Sequence, residues 1–257
     1  MVDTHAHLVL CGPESAAETV SAARAVGVEK ILSVGLDEET NAATVALARE
    51  TEGVWASVGR HPNQALGYDE SAAADLRRLC EDDSVVAVGE TGLDLYREGA
   101  PIADQREAFS SQIAIAREFS LPVVVHLRDR DGSEEITLEA FDTLEREAVD
   151  VGVVIHCFSA SPDLARRAGA NGWYCSFAGN LTYPSAPGLR EAARVIPEEL
   201  LLVETDSPYL APQPMRGKPN RPANVVETAR VLADERGVSS EYLAEQTDHN
   251  AARLFGW

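Results

Sequence analysis

The chain has 257 residues, 45% of them hydrophobic, a length and composition that suit one soluble α/β domain. Its 42 acidic side chains against 22 basic ones give a formal net charge of −20. That balance excludes a broad basic face for duplex nucleic acid, so any nucleic-acid substrate would be captured locally, by metals and a few arginines. No apolar run approaches the roughly 20 residues that cross a bilayer, and the N-terminus lacks the basic and apolar regions of a signal peptide; the expectation is a cytoplasmic protein.

In chain order, short β-branched runs alternate with helix-like stretches. The runs are Val2–His7, Lys30–Gly35, Val54–Gly59, Val85–Gly89, Pro122–His126, Val153–His156, Trp173–Phe177 and Leu200–Glu204. Helical apolar spacing marks Glu14–Val26, Thr40–Glu50, Glu70–Cys80 and Gln105–Phe119 between them. Eight strand–helix units in this length predict a (β/α)8 TIM barrel spanning residues 1–257 as a single domain. A doubly wound open sheet is the alternative, and it is weakened because no glycine-rich dinucleotide fingerprint follows the first run. The four cysteines, Cys11, Cys80, Cys157 and Cys175, are widely spaced and form no CxxC pair; they read as reduced thiols.

A barrel carries its active site at the C-terminal ends of its strands. His5 and His7 end the first run, and their spacing aims both imidazoles the same way. His61 follows the third run, Glu90 the fourth and Asp206 the eighth, while His126 and His156 end the fifth and sixth. Seven metal-ligand types at one rim predict a metal site, and imidazole suits several transition metals. Two cations about 3.5–4 Å apart need a bridging anion. Neither lysine ends a central strand, so a carbamylated lysine is excluded and Glu90 is the expected bridge.

The motifs Asp3-Thr4-His5-Ala6-His7-Leu8, Gly89-Glu90-Thr91-Gly92-Leu93-Asp94, His126-Leu127-Arg128-Asp129, His156-Cys157-Phe158-Ser159, Glu204-Thr205-Asp206-Ser207-Pro208-Tyr209-Leu210 and Asn250-Ala251-Ala252-Arg253-Leu254-Phe255 together resemble the TatD family of metal-dependent hydrolases. The resemblance runs almost end to end. It implies a metallo-dependent-hydrolase barrel with two divalent ions (Mg, Mn or Zn). One ion would take His5, His7, Glu90 and Asp206, the other Glu90, His126 and His156. It also implies deoxyribonuclease activity, often as a 3′→5′ exonuclease on single-stranded DNA ends, in which a metal-activated water attacks phosphorus. Other hydrolyses in the family, such as D-aminoacyl-tRNA deacylation, are the alternative function, and a non-catalytic metal-binding scaffold is a third. No obligatory protein partner and no membrane partner are expected.

Several residues are expected to serve the reaction. Asp206 orients the water or accepts its proton. Arg128 either clasps phosphate or pairs with Asp129 or Glu134, and His61 either reaches the phosphate or supports a ligand. Asp94 and Glu204 are expected to hold ligands in place. The family's His-Pro-His is His61-Pro62-Asn63 here, so Asn63 can hydrogen-bond to substrate but supplies no acid; Leu127 stands where a serine is common. Lys218, in the Arg216-Gly217-Lys218-Pro219-Asn220 segment after the eighth run, is a candidate phosphate contact. Tyr96, Tyr183 and Tyr209 are candidates for base stacking. Lysine is otherwise confined to Lys30, and this depletion with acid excess suggests a surface built for high salt, where screening mutes self-repulsion; a coding bias on a merely acidic protein is the alternative.

Overall fold

The computed structural model describes residues 1–12 and 15–257. Its eight strands are β1 (Val2–Ala6), β2 (Lys30–Val34), β3 (Val54–Val58), β4 (Val85–Asp94), β5 (Val123–Arg128), β6 (Val153–Ile155), β7 (Tyr174–Phe177) and β8 (Leu201–Val203). They pair in sequence order, each parallel to the next. Parallel neighbours need a crossover, and helices supply it. These are α1 (Ala16–Arg24), α2 (Glu38–Glu50), α3 (Glu70–Cys80), α4 (Ile102–Phe119), α5 (Glu135–Glu147), α6 (Pro162–Ala170) and α7 (Pro187–Val195), followed after β8 by α8 (Val225–Arg236) and α9 (Ser240–Phe255). The predicted TIM barrel is the fold.

Closure falls to residues beyond β8. Ser207 bridges Ala6 in parallel register, the His7 N–H donates to Ser207 O at 2.8 Å, and the Asp206 N–H donates to His5 O at 2.9 Å. The buried Asp3 carboxylate accepts from the Thr205 hydroxyl at 2.6 Å and the Thr205 N–H at 2.8 Å. Burial pushes the Asp3 carboxyl up to about 8 despite these hydrogen bonds. The seam that shuts the barrel therefore places His5, His7 and Asp206 side by side.

Local chemistry sets the helix starts. Asp37 and Thr40 form a reciprocal cap at α2, as Ser15 and Glu18 do at α1. The predicted helix Glu14–Val26 is thus trimmed to begin after its Ser15 cap; Glu14 lies outside the described residues. Predicted helix 70–80 matches α3, while α4 begins three residues before the predicted Gln105.

The largest departure is β4. The sequence expectation stops it at Gly89, because polar and glycine residues follow; the strand instead continues through Asp94, with Gly92 opposite His126 and Asp94 opposite Arg128. Glu90 therefore lies inside a strand, not after it. Gly89 and Gly92 make this possible, at φ +142° and +138°: a Cβ would meet Val124 O at 2.4 Å and His126 O at 2.1 Å respectively. Only glycine permits β5 so close on both sides of Glu90.

The core is a continuous apolar shell between sheet and helices, filled by side chains such as Ile31, Phe109, Ile113, Phe141 and Phe177. The four cysteines are free thiols. Among the described residues no helix is long and apolar enough to cross a membrane. Asn250, fully buried in α9, donates to Glu198 O at 2.8 Å and Leu201 O at 2.9 Å, pinning the last helix to the entry of β8. Replacing it with alanine removes the side-chain donor to the buried Leu201 carbonyl, a loss of about 1–3 kcal/mol, while the Glu198 carbonyl keeps its bond from the Leu201 N–H. Asn250→Ala should therefore lower unfolding free energy by about 1–3 kcal/mol in urea titrations; a loss under about 0.5 kcal/mol would contradict this role.

Candidate metal centre

All seven predicted ligand-type residues meet within hydrogen-bonding or ion-pair distance of Glu90 or of one another. His5 Nε2 lies 3.3 Å from Glu90 Oε2 and 3.9 Å from Asp206 Oδ1; His7 Nε2 lies 3.6 and 3.4 Å from the same two oxygens. Across the barrel mouth, Glu90 Oε1 is 2.6 Å from His126 Nδ1 and 3.0 Å from His156 Nε2, and those two nitrogens are 3.3 Å apart. His61 Nε2 stands 3.6 Å from Glu90 Oε1. One carboxylate thus turns one oxygen toward each cluster.

The donor set fits a metal ion. Three ligand-type trios, His5/His7/Asp206, His61/Glu90/His126 and His5/His156/Glu204, each bring their ligand atoms within 4.8 Å. Around an ion with bonds of about 2.0–2.1 Å, tetrahedral ligand atoms sit about 3.3–3.4 Å apart, close to most separations in the first cluster. His5 Nε2 and Glu90 Oε2 are buried with no hydrogen-bond partner. Orphaned polar atoms of this kind are rare in folded proteins and point to a missing ligand.

The surrounding hydrogen bonds orient the rings. His7 Nδ1 faces Val34 O at 2.9 Å, His126 Nε2 faces Asp94 Oδ2 at 3.2 Å, and His156 Nδ1 faces Glu204 Oε1 at 3.1 Å. Each leaves the opposite nitrogen for the cluster, the usual arrangement around metal-ligating histidines. Glu204 also accepts from the Cys157 N–H at 2.9 Å, so it holds both a backbone turn and a ring. Asp94 is itself fixed by the N–H groups of Tyr96 and Arg97 and by Asn63 Nδ2 at 3.1 Å. Asn63 therefore faces Asp94 while lining the cavity.

His61 differs from the rest. Its Nδ1 accepts the Asn63 N–H at 3.1 Å, which places the ring proton on Nε2. Burial pushes its pKa down to about 4, so it is a neutral donor at physiological pH. For His156, burial alone would lower the pKa, but the charges of Glu90 and Glu204 outweigh it and hold the ring well above its ordinary value. His126 and His7 are raised against burial in the same way, by their carboxylate neighbours. Burial opposes ionisation of Glu90 too, yet the imidazoles of His156 and His61 and the bond from His126 hold it well below the usual carboxylate range.

A cavity of about 400 Å³ opens above these groups, walled by His7, His61, Glu90, His126, Asp206 and Tyr209 among others. Arg128 and Arg97 are its cationic residues. Arg128 stacks over Tyr96, with its guanidinium carbon 4.3 Å from the ring centroid. The alternative partners are engaged elsewhere: Asp129 accepts from Ile136 and Thr137 at the start of α5, and Glu134 accepts from the Ser161 N–H. Lys218 lies exposed in its loop and takes no part in the cavity wall. Arg97, Asp3 and Thr205 were not singled out by type or spacing; the signal for the last two lay in their flanking the ligands His5 and Asp206 in sequence.

Residues 2–256 match the sequence model of the TatD related DNases. The chain belongs to the TatD family. Like other members it is a metal-dependent hydrolase by descent. It is 41% identical to a metal-dependent hydrolase of Escherichia coli K12, YcfH, over 99% of this chain and 95% of that one. It is 36% identical to the 3′-5′ ssDNA/RNA exonuclease TatD of Cronobacter sakazakii, over 93% and 90%. The crystal structure of the TatD homologue YJJV from E. coli K12 superposes with a TM-score of 0.91 at 29% identity, covering 100% and 98% of the two chains.

Metal ligation requires neutral imidazole, so protons and metal compete in this TatD-family site. Because His156, His126 and His7 are raised above 6.5, binding a divalent ion should release protons, and affinity should rise with pH from below 6.5 to above it. Zinc or manganese titrations by calorimetry in buffers of different ionisation enthalpy measure this release. Affinity independent of pH from about 6 to 8, around the ordinary histidine value, would contradict it.

Proposed function

We propose that the chain is a metal-dependent phosphodiesterase that removes nucleotides from single-stranded 3′ ends of DNA, using two divalent ions bridged by Glu90. The observation that carries this reading is the Glu90 carboxylate, buried with one oxygen against the His5/His7 side and the other against His126 and His156. His5, His7 and Asp206 would hold one ion; His126 and His156 would hold the other. The exonuclease name carried by relatives of similar length supports the substrate class. The ions, when bound, polarise phosphoryl oxygen and lower the pKa of coordinated water to roughly 7.

The protein's own groups do the rest. Asp206 would orient the attacking water and accept its proton. Burial would raise its pKa, but the bond from His7 and the His156 and His5 rings hold it lowered, so it is ionised and ready as a base. His61, neutral and protonated on Nε2, donates a hydrogen bond toward the reacting phosphate or Glu90 and carries no acidic proton at physiological pH. Arg128, held over the Tyr96 ring, carries a planar fork suited to a non-bridging phosphate oxygen pair. The paucity of other cations in the cavity fits capture of one phosphate rather than a duplex backbone.

Digestion of 3′- and 5′-labelled oligonucleotides with added Mg, Mn or Zn tests the proposal. Single strands should shorten from the 3′ end, EDTA should abolish cleavage, and Asp206→Asn should cut kcat by about 100-fold or more, the usual scale for a lost general base. Arg128→Ala should mainly raise KM. Absence of cleavage with every metal, alongside turnover of an aminoacyl ester, would transfer the site to carboxylic-ester hydrolysis.

A further inference from the structure

The three tyrosines near the barrel mouth are not equivalent. Tyr96 has one face covered by the Arg128 guanidinium, and Tyr183 has the Arg216 guanidinium 4.2 Å from its ring centroid while its hydroxyl donates to Ala211 O at 2.9 Å. Neither forms part of the cavity wall. Tyr209 does, and it remains 51% exposed.

Its placement is fixed by the same seam that positions the ligands. The Tyr209 N–H donates to Asp206 O at 2.8 Å, and the ring meets His7 edge-on with centroids 6.0 Å apart and planes at 70°. The phenol is thus locked beside two candidate metal ligands, with a face open toward the cavity. An aromatic held this way offers π surface to any base without reading its identity. A site with few cations on a strongly acidic protein gains little from long-range attraction, so short-range stacking is a natural source of substrate hold.

We propose that Tyr209 is the stacking platform for the base of a nucleotide adjoining the scissile phosphate, and so a binding residue that makes the site prefer nucleic acid over other phosphodiesters. The proposal rests on the phosphodiesterase reading above. It accounts for single-strand use: a base must leave its duplex partner to lie on the ring. It also predicts tolerance of all four bases, because stacking does not depend on hydrogen-bonding edges.

The test pairs variants with single-stranded oligonucleotides carrying an abasic residue at the terminal or the penultimate 3′ position. Wild type should lose about 10-fold in kcat/KM at one of these positions, within the range for base–aromatic stacking. Tyr209→Phe should keep that penalty. Tyr209→Leu should bind metal as wild type does, lose a similar factor on the normal oligonucleotide, and show no further loss on the abasic one. Should Tyr209→Leu lose metal, Tyr209→Trp carries the test, because its larger face must preserve or deepen the abasic penalty. Wild type indifferent to both abasic positions, or a penalty that persists in Tyr209→Leu or vanishes in Tyr209→Trp, overturns the platform while leaving the phosphodiesterase standing. A wild type that cleaves no oligonucleotide removes the underlying reading, and the platform with it.

Discussion

The structure of the site depends on one buried carboxylate among imidazoles. Glu90 is almost wholly removed from water and lies within 3.6 Å of a nitrogen from each of His5, His7, His61, His126 and His156. A buried charge is tolerated only when it is paired or bound to metal. Here the pairing extends to both sides of the barrel, so strands β1, β3, β4, β5 and β6 converge on a single group. Carboxylate charge holds His156, His126 and His7 above their ordinary value, while burial takes His5 and His61 below it, so the cluster favours positive charge unevenly around Glu90.

Two features of the backbone hold Glu90 there. Gly89 and Gly92 bring β5 against β4 more closely than any side chain allows, and the strand continues past Glu90 to Asp94, which steadies His126 from behind. The β1–β8 seam does the corresponding work for His5, His7 and Asp206, through Asp3, Thr205 and Ser207. Residues behind the candidate ligands thereby set the separations between them, consistent with the general rule that ligand supports matter nearly as much as ligands.

Much of this was legible in the sequence. Alternating β-branched runs and helical periods gave the barrel, and the rule that barrels act at strand C-termini gathered ligand types from six runs into one rim. What stayed hidden was local. The length of β4 was missed because glycine and glutamate look like a strand's end, when here they are its closest-packed part. Periodicity also carried no sign that Arg128 would lie on Tyr96, that Asp129 and Glu134 would be taken by helix and loop N–H groups, or that Lys218 would sit outside the cavity. Those outcomes depend on side-chain directions between distant segments, which a single sequence does not encode in its spacing. Tyr209 illustrates the same limit: three tyrosines were equal as letters, and packing left one with an open face.

The central claim is that Glu90 joins two ions. Metal content per chain after exhaustive dialysis against excess divalent ion, measured for wild type and Glu90→Ala with fold checked by circular dichroism, tests it most directly. The account predicts two ions for the wild type and the loss of at least one in the folded variant. Two ions retained by folded Glu90→Ala would contradict it.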